Sequence, residues 1–77
     1  MDQIHFQIKQ LRNRLDLTQN DLSQAFGFSN SKTIEDIESG LLIPNKTVIL
    51  MTGLLMSISV AEAKDLVERL IQQNRNA

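Results

Sequence analysis

The sequence predicts an all-α fold, a compact five-helix bundle formed as a single domain over residues 1–77. Apolar residues recur at steps of three and four along five segments, which is the period of an amphipathic helix. Glycine and proline stand between several of these segments and indicate turns. The length of 77 residues and the apolar fraction of 42% suit one small core rather than a disordered chain. The chain has no cysteine, which excludes disulfides and thiolate metal sites.

The first two helices are predicted before residue 27. Asp2 can cap the first helix, whose apolar stripe is expected at Ile4, Ile8, Leu11 and Leu15. Thr18 and Asp21 have the spacing of a capping box for the second helix, with Asp in place of the usual Glu. The inward residues of that helix are expected to be Leu22, Ala25 and Phe26. Gly27 then allows the positive φ with which many helices end.

The third and fourth helices are predicted on either side of an apolar connector. Ser29 or Asn30 is expected to cap the third helix, which buries Ile34 and Ile37 and ends at Gly40. Pro44 cannot extend the preceding helix, so residues 41–43 form the connector. We predict a fourth helix that begins at Asn45 and runs through the apolar residues Val48, Leu50, Met51, Leu54 and Leu55.

The fifth helix begins with the strongest helix-start signal in the chain. Ser59 and Glu62 have the spacing of a capping box. The apolar stripe that follows consists of Val60, Ala63, Leu66, Val67, Leu70 and Ile71. We expect residues 61–77 to form the last helix and a tail, with residues 72–77 frayed, and this segment is a candidate dimerisation element.

The charge of the chain does not by itself favour nucleic acid. Eight basic and nine acidic residues give a net charge of −1. DNA-binding domains are usually basic, because neutralising phosphates releases counterions and drives association. Any affinity for DNA must therefore come from a local patch, for which the sequence offers Lys9, Arg14, Lys32 and Lys46.

Membrane proteins and enzymes find no support in the sequence. No apolar run approaches the roughly 20 residues that span a bilayer, and Met1-Asp2-Gln3 lacks the features of a signal peptide. We expect a soluble, cytoplasmic protein. His5 is the only histidine, and no carboxylate cluster, phosphate-binding glycine loop or metal-ligand spacing accompanies it. We therefore expect no enzymatic activity, no cofactor and no small-molecule substrate.

Residues 8–60 resemble the helix-turn-helix domain of the lambdoid phage repressor and Cro family, also called the XRE family. The positions that carry the resemblance are Leu11, Arg12, Leu17, Thr18, Gln19, Leu22, Gly27, Phe28, Ser29, Ile34, Ile37, Glu38, Gly40 and Pro44. No single position is specific, but the ordered set is. The resemblance implies a lambda-repressor-like bundle in which the second and third helices read double-stranded DNA. It also implies a homodimer that binds a pseudo-palindromic operator through the major groove.

The resemblance further implies roles for individual residues. The base-facing side chains would be Ser31, Lys32 and Glu35. Contacts to the DNA backbone would come from Gln19, Asn20, Asn30, Ser39, Asn45 and Lys46. Arg12 and Glu38 match an ion pair that joins the first and third helices in several relatives. In the family the dimer contact lies near the fourth and fifth helices, which includes Met56 and Ile58. Leu41, Leu42 and Ile43 are added as dimer or partner contacts because they are more apolar than an exposed connector requires.

Two carboxylates on the third helix keep a second function open. Glu35 can accept a hydrogen bond from cytosine N4, but it can equally repel phosphate, and Asp36 follows it directly. With the net charge and the apolar connector, this favours an alternative: a protein-interaction module on a helix-turn-helix scaffold, antitoxin or anti-repressor-like, with weak DNA binding. Phage Cro-like switches, restriction–modification controllers and antitoxins share the design.

Overall fold

The computed structural model describes residues 4–75, in which five α-helices and no strand are found. The helices are α1 (Ile4–Leu15), α2 (Gln19–Ala25), α3 (Lys32–Ser39), α4 (Lys46–Ser57) and α5 (Val60–Arg75). The predicted all-α class and the number of helices are confirmed. Asp2, the predicted cap of α1, lies outside the described residues. Within residues 4–75, none of the helices combines the length and the apolar character needed to cross a membrane.

One hydrophobic core joins all five helices. α1 packs against α3, α4 and α5, while α2 packs against α3 and α5. The buried apolar side chains are Ile4, Ile8, Leu11, Leu15, Leu22, Ala25, Ile34, Ile37, Val48, Leu55, Ala63 and Val67. Full burial of a Val, Leu or Ile side chain contributes about 1.5–3 kcal/mol. Because α1 supplies four of these residues, it is the central element against which the others pack.

Side chains at the start of α2 and α5 form the predicted capping boxes. At α2, Thr18 Oγ1 accepts from the backbone N–H of Asp21 at 3.0 Å, and Asp21 Oδ2 accepts from the backbone N–H of Thr18 at 3.0 Å. At α5, Ser59 Oγ accepts from the N–H of Glu62 at 3.1 Å, and Glu62 Oε1 accepts from the N–H of Ser59 at 3.3 Å. Each box satisfies backbone donors that a helix start leaves without partners.

Left-handed residues end the first three helices. Gly27 and Gly40 have φ values of +82° and +85°, as predicted for glycines that follow α2 and α3. Gly40 donates its N–H to the carbonyl of Ile37 at 3.1 Å. Asp16 has a φ of +56° after α1, which the sequence did not predict. Aspartate visits this region more readily than most residues, so α1 can end there without a glycine.

The start of α3 differs from the prediction. Its N-cap is Ser31 rather than Ser29 or Asn30, and the Ser31 side chain makes no capping hydrogen bond. Asn30 Oδ1 instead accepts from the backbone N–H of Lys32 at 2.9 Å, which is a local turn of the kind asparagine favours. Three consecutive residues here suit both caps and turns, so propensity alone does not choose among them.

α4 exposes part of its apolar sequence. Val48 and Leu55 are buried together with Thr52, whereas Leu50 and Leu54 are 62% and 52% exposed. The exposed pair lies one helical turn apart, on the same side of the helix. α4 therefore has apolar side chains both toward the core and away from it.

α5 remains helical to Arg75, so the expectation that residues 72–77 are frayed is wrong for residues 72–75. Residues 76 and 77 lie outside the described residues. The reason is tertiary: Asn74, in the last turn, donates hydrogen bonds to backbone carbonyls of α2. Contacts of this kind between distant segments leave no local signal in a polar sequence.

Candidate nucleic-acid interface

α3 is attached to the bundle along its inner side. Ile34 and Ile37 are buried in the core. Directly after Ile37, the Glu38 carboxylate accepts from Nε of Arg12 at 2.6 Å and from Nη2 of the same guanidinium at 2.9 Å. The expected ion pair is therefore present, and its two-point geometry is the strongest form of an arginine–carboxylate contact. It ties α3 to α1.

The same ion pair reaches the start of α2. Arg12 Nη1 donates to the carbonyl oxygen of Leu17 at 3.1 Å, and Gln19 Nε2 donates to Glu38 Oε1 at 3.3 Å. The hydrogen bond to Glu38 raises the pKa of Arg12 above its ordinary value, so the guanidinium stays charged. Gln19, a predicted contact to the DNA backbone, thus uses its amide within the protein. Three helices converge on one carboxylate.

The side of α3 that faces away from the core carries two of the three predicted base-facing residues, Lys32 and Glu35. We call this side the outer α3 face, and it consists of Lys32, Glu35, Asp36 and Ser39. Lys32 Nζ lies 3.1 Å from Asp36 Oδ1, and Ser31 Oγ donates to Glu35 Oε2 at 2.9 Å. This region therefore has one lysine and two carboxylates. The predicted residues Ser31, Lys32 and Glu35 lie close together at the start of α3. Each of the three charged side chains has a partner within α3 or at its N-cap.

The other predicted contacts to the DNA backbone are spread over several segments. Asn20 and Lys46 are exposed on α2 and α4. Asn45 Oδ1 accepts from the N–H of Val48 at 3.0 Å and so begins α4. Ser39 Oγ donates to the carbonyl of Asp36 at 3.0 Å, and Asn30 holds the turn before α3. Asn45 and Asn30 therefore have structural roles of their own.

Arg14 does not belong to a free basic patch. Its Nη1 donates to the carbonyl of Leu55 at 3.0 Å, and its Nη2 donates to the carbonyl of Ile58 at 2.8 Å. A cation at the end of a helix also favours the negative end of the helix dipole. Arg14 thus closes the end of α4. Lys9 and Lys46 are exposed and make no ion pair within residues 4–75.

The predicted partner contacts divide into two groups. Leu41 and Ile43 are 80% and 75% exposed, and Leu42 is exposed as well. Met56 and Ile58 are partly buried against the protein's own core, so their role as partner contacts stays a prediction. Sequence reasoning did not single out the exposed pair Leu50 and Leu54. The signal that could have found them is that Lys46 is the only charged residue in α4.

Comparison with known proteins gives no relative. No protein-family model, no curated protein and no solved structure matches the chain. Among residues 4–75 there is no group of three or more His, Asp or Glu side chains that could hold a metal ion. The function must be inferred from the geometry of α3 and its surroundings.

Proposed function

We propose that the protein is a sequence-specific transcriptional regulator of the XRE type, in which α2 and α3 form a helix-turn-helix. It acts in the cytoplasm as a homodimer on a pseudo-palindromic operator. The observation that carries the proposal is the two-sided character of α3. Ile34, Ile37 and Glu38 anchor its inner side, while the outer α3 face stays open to approach. A helix held in this way fits the major groove, which is about 12 Å wide.

Lys32 is the residue best placed to read a base. It is the first residue of α3, and recognition helices contact bases through their N-terminal residues. Its exposed pair with Asp36 contributes only about 0.3–0.5 kcal/mol. A lysine that binds guanine O6 and N7 contributes about 1–3 kcal/mol of discrimination. The ion pair with Asp36 is therefore too weak to prevent Lys32 from binding guanine instead.

Glu35 gives the interface its specificity rather than its affinity. Its carboxylate can exchange the Ser31 hydroxyl for the N4 amino group of cytosine. At any other base, the carboxylates of Glu35 and Asp36 lie near phosphates without compensation. We therefore expect low affinity for non-specific DNA and a shallow dependence of that affinity on salt.

The exposed apolar residues support a homodimer. Four large apolar side chains are exposed: Leu41 and Ile43 in the connector, and Leu50 and Leu54 on α4. α4 itself contains no acidic residue. Exposed apolar groups of this kind mark contact sites, and a standard interface buries about 800 Å² per partner. Two copies joined here would present two α3 helices to half-sites about 34–36 Å apart.

The second candidate is a protein-interaction module with weak DNA binding. The outer α3 face favours it, because two carboxylates outnumber one lysine there. The exposed connector would then bind another protein. Fold alone does not decide between the two functions.

Selection of bound duplexes from a random pool tests the proposal. We expect a pseudo-palindrome to be enriched, and we expect Lys32→Ala to weaken its binding at least about tenfold at physiological salt. Lys64→Ala removes the same charge from an exposed position on α5 and is the matched control. Uniformly weak binding to all duplexes, unchanged by either variant, would favour the interaction module.

A further inference from the structure

The last turn of α5 holds the end of α2. Asn74 Nδ2 donates to the carbonyl oxygen of Gln24 at 2.7 Å and to that of Ala25 at 3.0 Å. Arg75 Nη2 donates to the side-chain Oε1 of Gln24 at 3.1 Å. We call the two hydrogen bonds from Asn74 the Asn74 clasp. It joins residues that are 50 and 49 positions apart in the sequence.

The clasp supplies hydrogen-bond donors to carbonyl oxygens at the C-terminal end of α2. The last carbonyls of a helix have no partner within it, and α2 has only seven residues. Gly27 N–H reaches the Gln24 carbonyl at 3.2 Å, and Asn74 supplies a second donor to that oxygen. The positive charge of Arg75 nearby also suits the negative end of the helix dipole. α5 thus completes the C-terminal end of α2 from outside.

The turn that the clasp touches leads directly into α3. A Cβ placed on Gly27 would lie 3.8 Å from the Asn74 amide, so the end of α5 lies alongside this glycine. The next residue, Phe28, donates its N–H to the carbonyl of Ser23 at 2.9 Å, and its ring packs edge-on against Phe26. Only residues 29–31 then separate this anchored turn from the first residue of α3. A shift at Gly27 would therefore move the start of α3.

From this geometry we infer that Asn74 is a positioning residue for the reading helix: without touching DNA, it holds the turn between α2 and α3 and so sets the position of Lys32. The inference rests on the proposed function for its effect on DNA, but the hold on the turn exists independently of it. The core does not require the clasp, since α5 is already attached through Ala63 and Val67. Removing it should loosen the turn and leave the bundle folded.

Asn74→Asp is the most informative variant, because it keeps the shape of the side chain and replaces the donating amide by a carboxylate. Asn74→Ala removes the side chain and raises helix propensity, so any loss it causes cannot come from a melted helix. Gln73→Ala, at an exposed neighbour on the same turn, is the matched control. Global unfolding by denaturant shows whether each variant keeps its fold.

Amide hydrogen exchange at Gly27 and Phe28 is the first measurement and involves no DNA. We expect exchange at these two amides to be about tenfold faster in both Asn74 variants, as the loss of one or two hydrogen bonds implies. Exchange should be unchanged in Gln73→Ala. Unchanged exchange in Asn74→Asp, or equal acceleration in the control, would overturn the inference.

The second measurement is the ratio of affinities for the selected operator and for a scrambled duplex. We expect the ratio to fall about tenfold in both Asn74 variants while non-specific affinity stays constant, because a displaced helix loses base contacts before phosphate contacts. If amide exchange at Gly27 and Phe28 is faster but the ratio of affinities is unchanged, Asn74 does not position the reading helix. If the unaltered protein does not discriminate between duplexes, the proposed function fails, and the exchange comparison still supports or overturns the clasp.

Discussion

At the scale of single residues, Ser23 and Thr52 are the two fully buried hydroxyl side chains among residues 4–75, and they differ in hydrogen bonding. Thr52 Oγ1 donates to the carbonyl of Val48 at 2.8 Å, whereas Ser23 Oγ has no hydrogen-bond partner among residues 4–75. A buried polar group without a partner costs about 1–3 kcal/mol relative to a satisfied one. Ser23, in the middle of α2, is therefore a local weakness of the fold.

We predict that Ser23→Ala raises the free energy of unfolding by about 1 kcal/mol, because it removes the unsatisfied hydroxyl and improves helix propensity. Thr52→Ala is the matched comparison and should lower it by about 1–2 kcal/mol, since a satisfied hydrogen bond and a buried methyl group are lost. Urea denaturation measures both. A clear loss of stability in Ser23→Ala would mean that the hydroxyl has a partner.

The pair of Arg12 and Glu38 gives a second prediction at this scale. Both side chains are largely buried, so Glu38→Ala leaves a guanidinium without its counter-charge and should lower the free energy of unfolding by about 3 kcal/mol. The double variant Arg12→Met with Glu38→Leu should lose less than the single one, because no charge remains buried. A double variant that loses as much as Arg12→Met and Glu38→Leu lose singly, added together, would show that the pair is not coupled.

The pKa of Arg12 fixes the sign of the pH dependence of this pair. The hydrogen bond to Glu38 raises the pKa of Arg12 in the folded state above the ordinary value for arginine. The contribution of Arg12 to stability is therefore complete below the ordinary pKa of arginine and is lost only as the pH rises through the still higher folded-state pKa. The destabilisation caused by Glu38→Ala should be the same at neutral pH and at moderately alkaline pH.

At the scale of helices, the start signals in the sequence carry unequal weight. Thr18 Oγ1 makes a capping hydrogen bond at the start of α2, whereas Ser31 makes none at the start of α3. We predict that Thr18→Ala lowers the free energy of unfolding by about 1 kcal/mol. Ser31→Ala should change it by less than about half of that. Equal losses in the two variants would show that the Ser31 side chain does cap α3.

The sequence predicted the helices well because their signals are local. Apolar residues at helical spacing, the box of Thr18 and Asp21, and the glycines at 27 and 40 act within one or two turns. The features that escaped prediction are tertiary. Arg14 binds carbonyls more than 40 residues away, and Asn74 binds carbonyls about 50 residues away. Neither a polar side chain nor its spacing indicates such a partner.

The part of the candidate site that depends on local helix geometry was predicted from the sequence. Ser31, Lys32 and Glu35 gather on one face because residues three and four apart on a helix are neighbours. Their mutual hydrogen bonds and ion pairs were not foreseen, since side-chain rotamers decide them. The exposed side of α4 was missed because its apolar residues have the same spacing as a buried stripe.

At the scale of the whole molecule, the exposed residues of the connector and α4 predict self-association. Leu50→Glu should convert a dimer into a folded monomer, because it places a charge on each side of an apolar contact. Gln73→Glu adds the same charge to α5 and should leave the predicted self-association unchanged. Sedimentation velocity at micromolar concentration measures both. If the unaltered protein sediments as a dimer and the Leu50→Glu variant does the same, the dimer contact lies elsewhere.

The whole molecule combines an exposed outer α3 face with a low net charge. In the function proposed here, binding to DNA would therefore depend on base contacts more than on phosphate contacts. Non-specific binding arises almost entirely from counterion release, which eight basic residues against nine acidic ones support poorly. A regulator of this kind would be selective rather than tight.

The most direct test of the central claim is a salt titration of affinity for the selected operator and for a scrambled duplex of equal length. We predict binding to the operator at least about 1,000-fold tighter than to the scrambled duplex. The logarithm of operator affinity should fall linearly with the logarithm of salt concentration, and Lys32→Ala should remove most of the difference between the duplexes. Equal, weak and salt-independent binding to both duplexes would contradict the claim that α3 reads DNA.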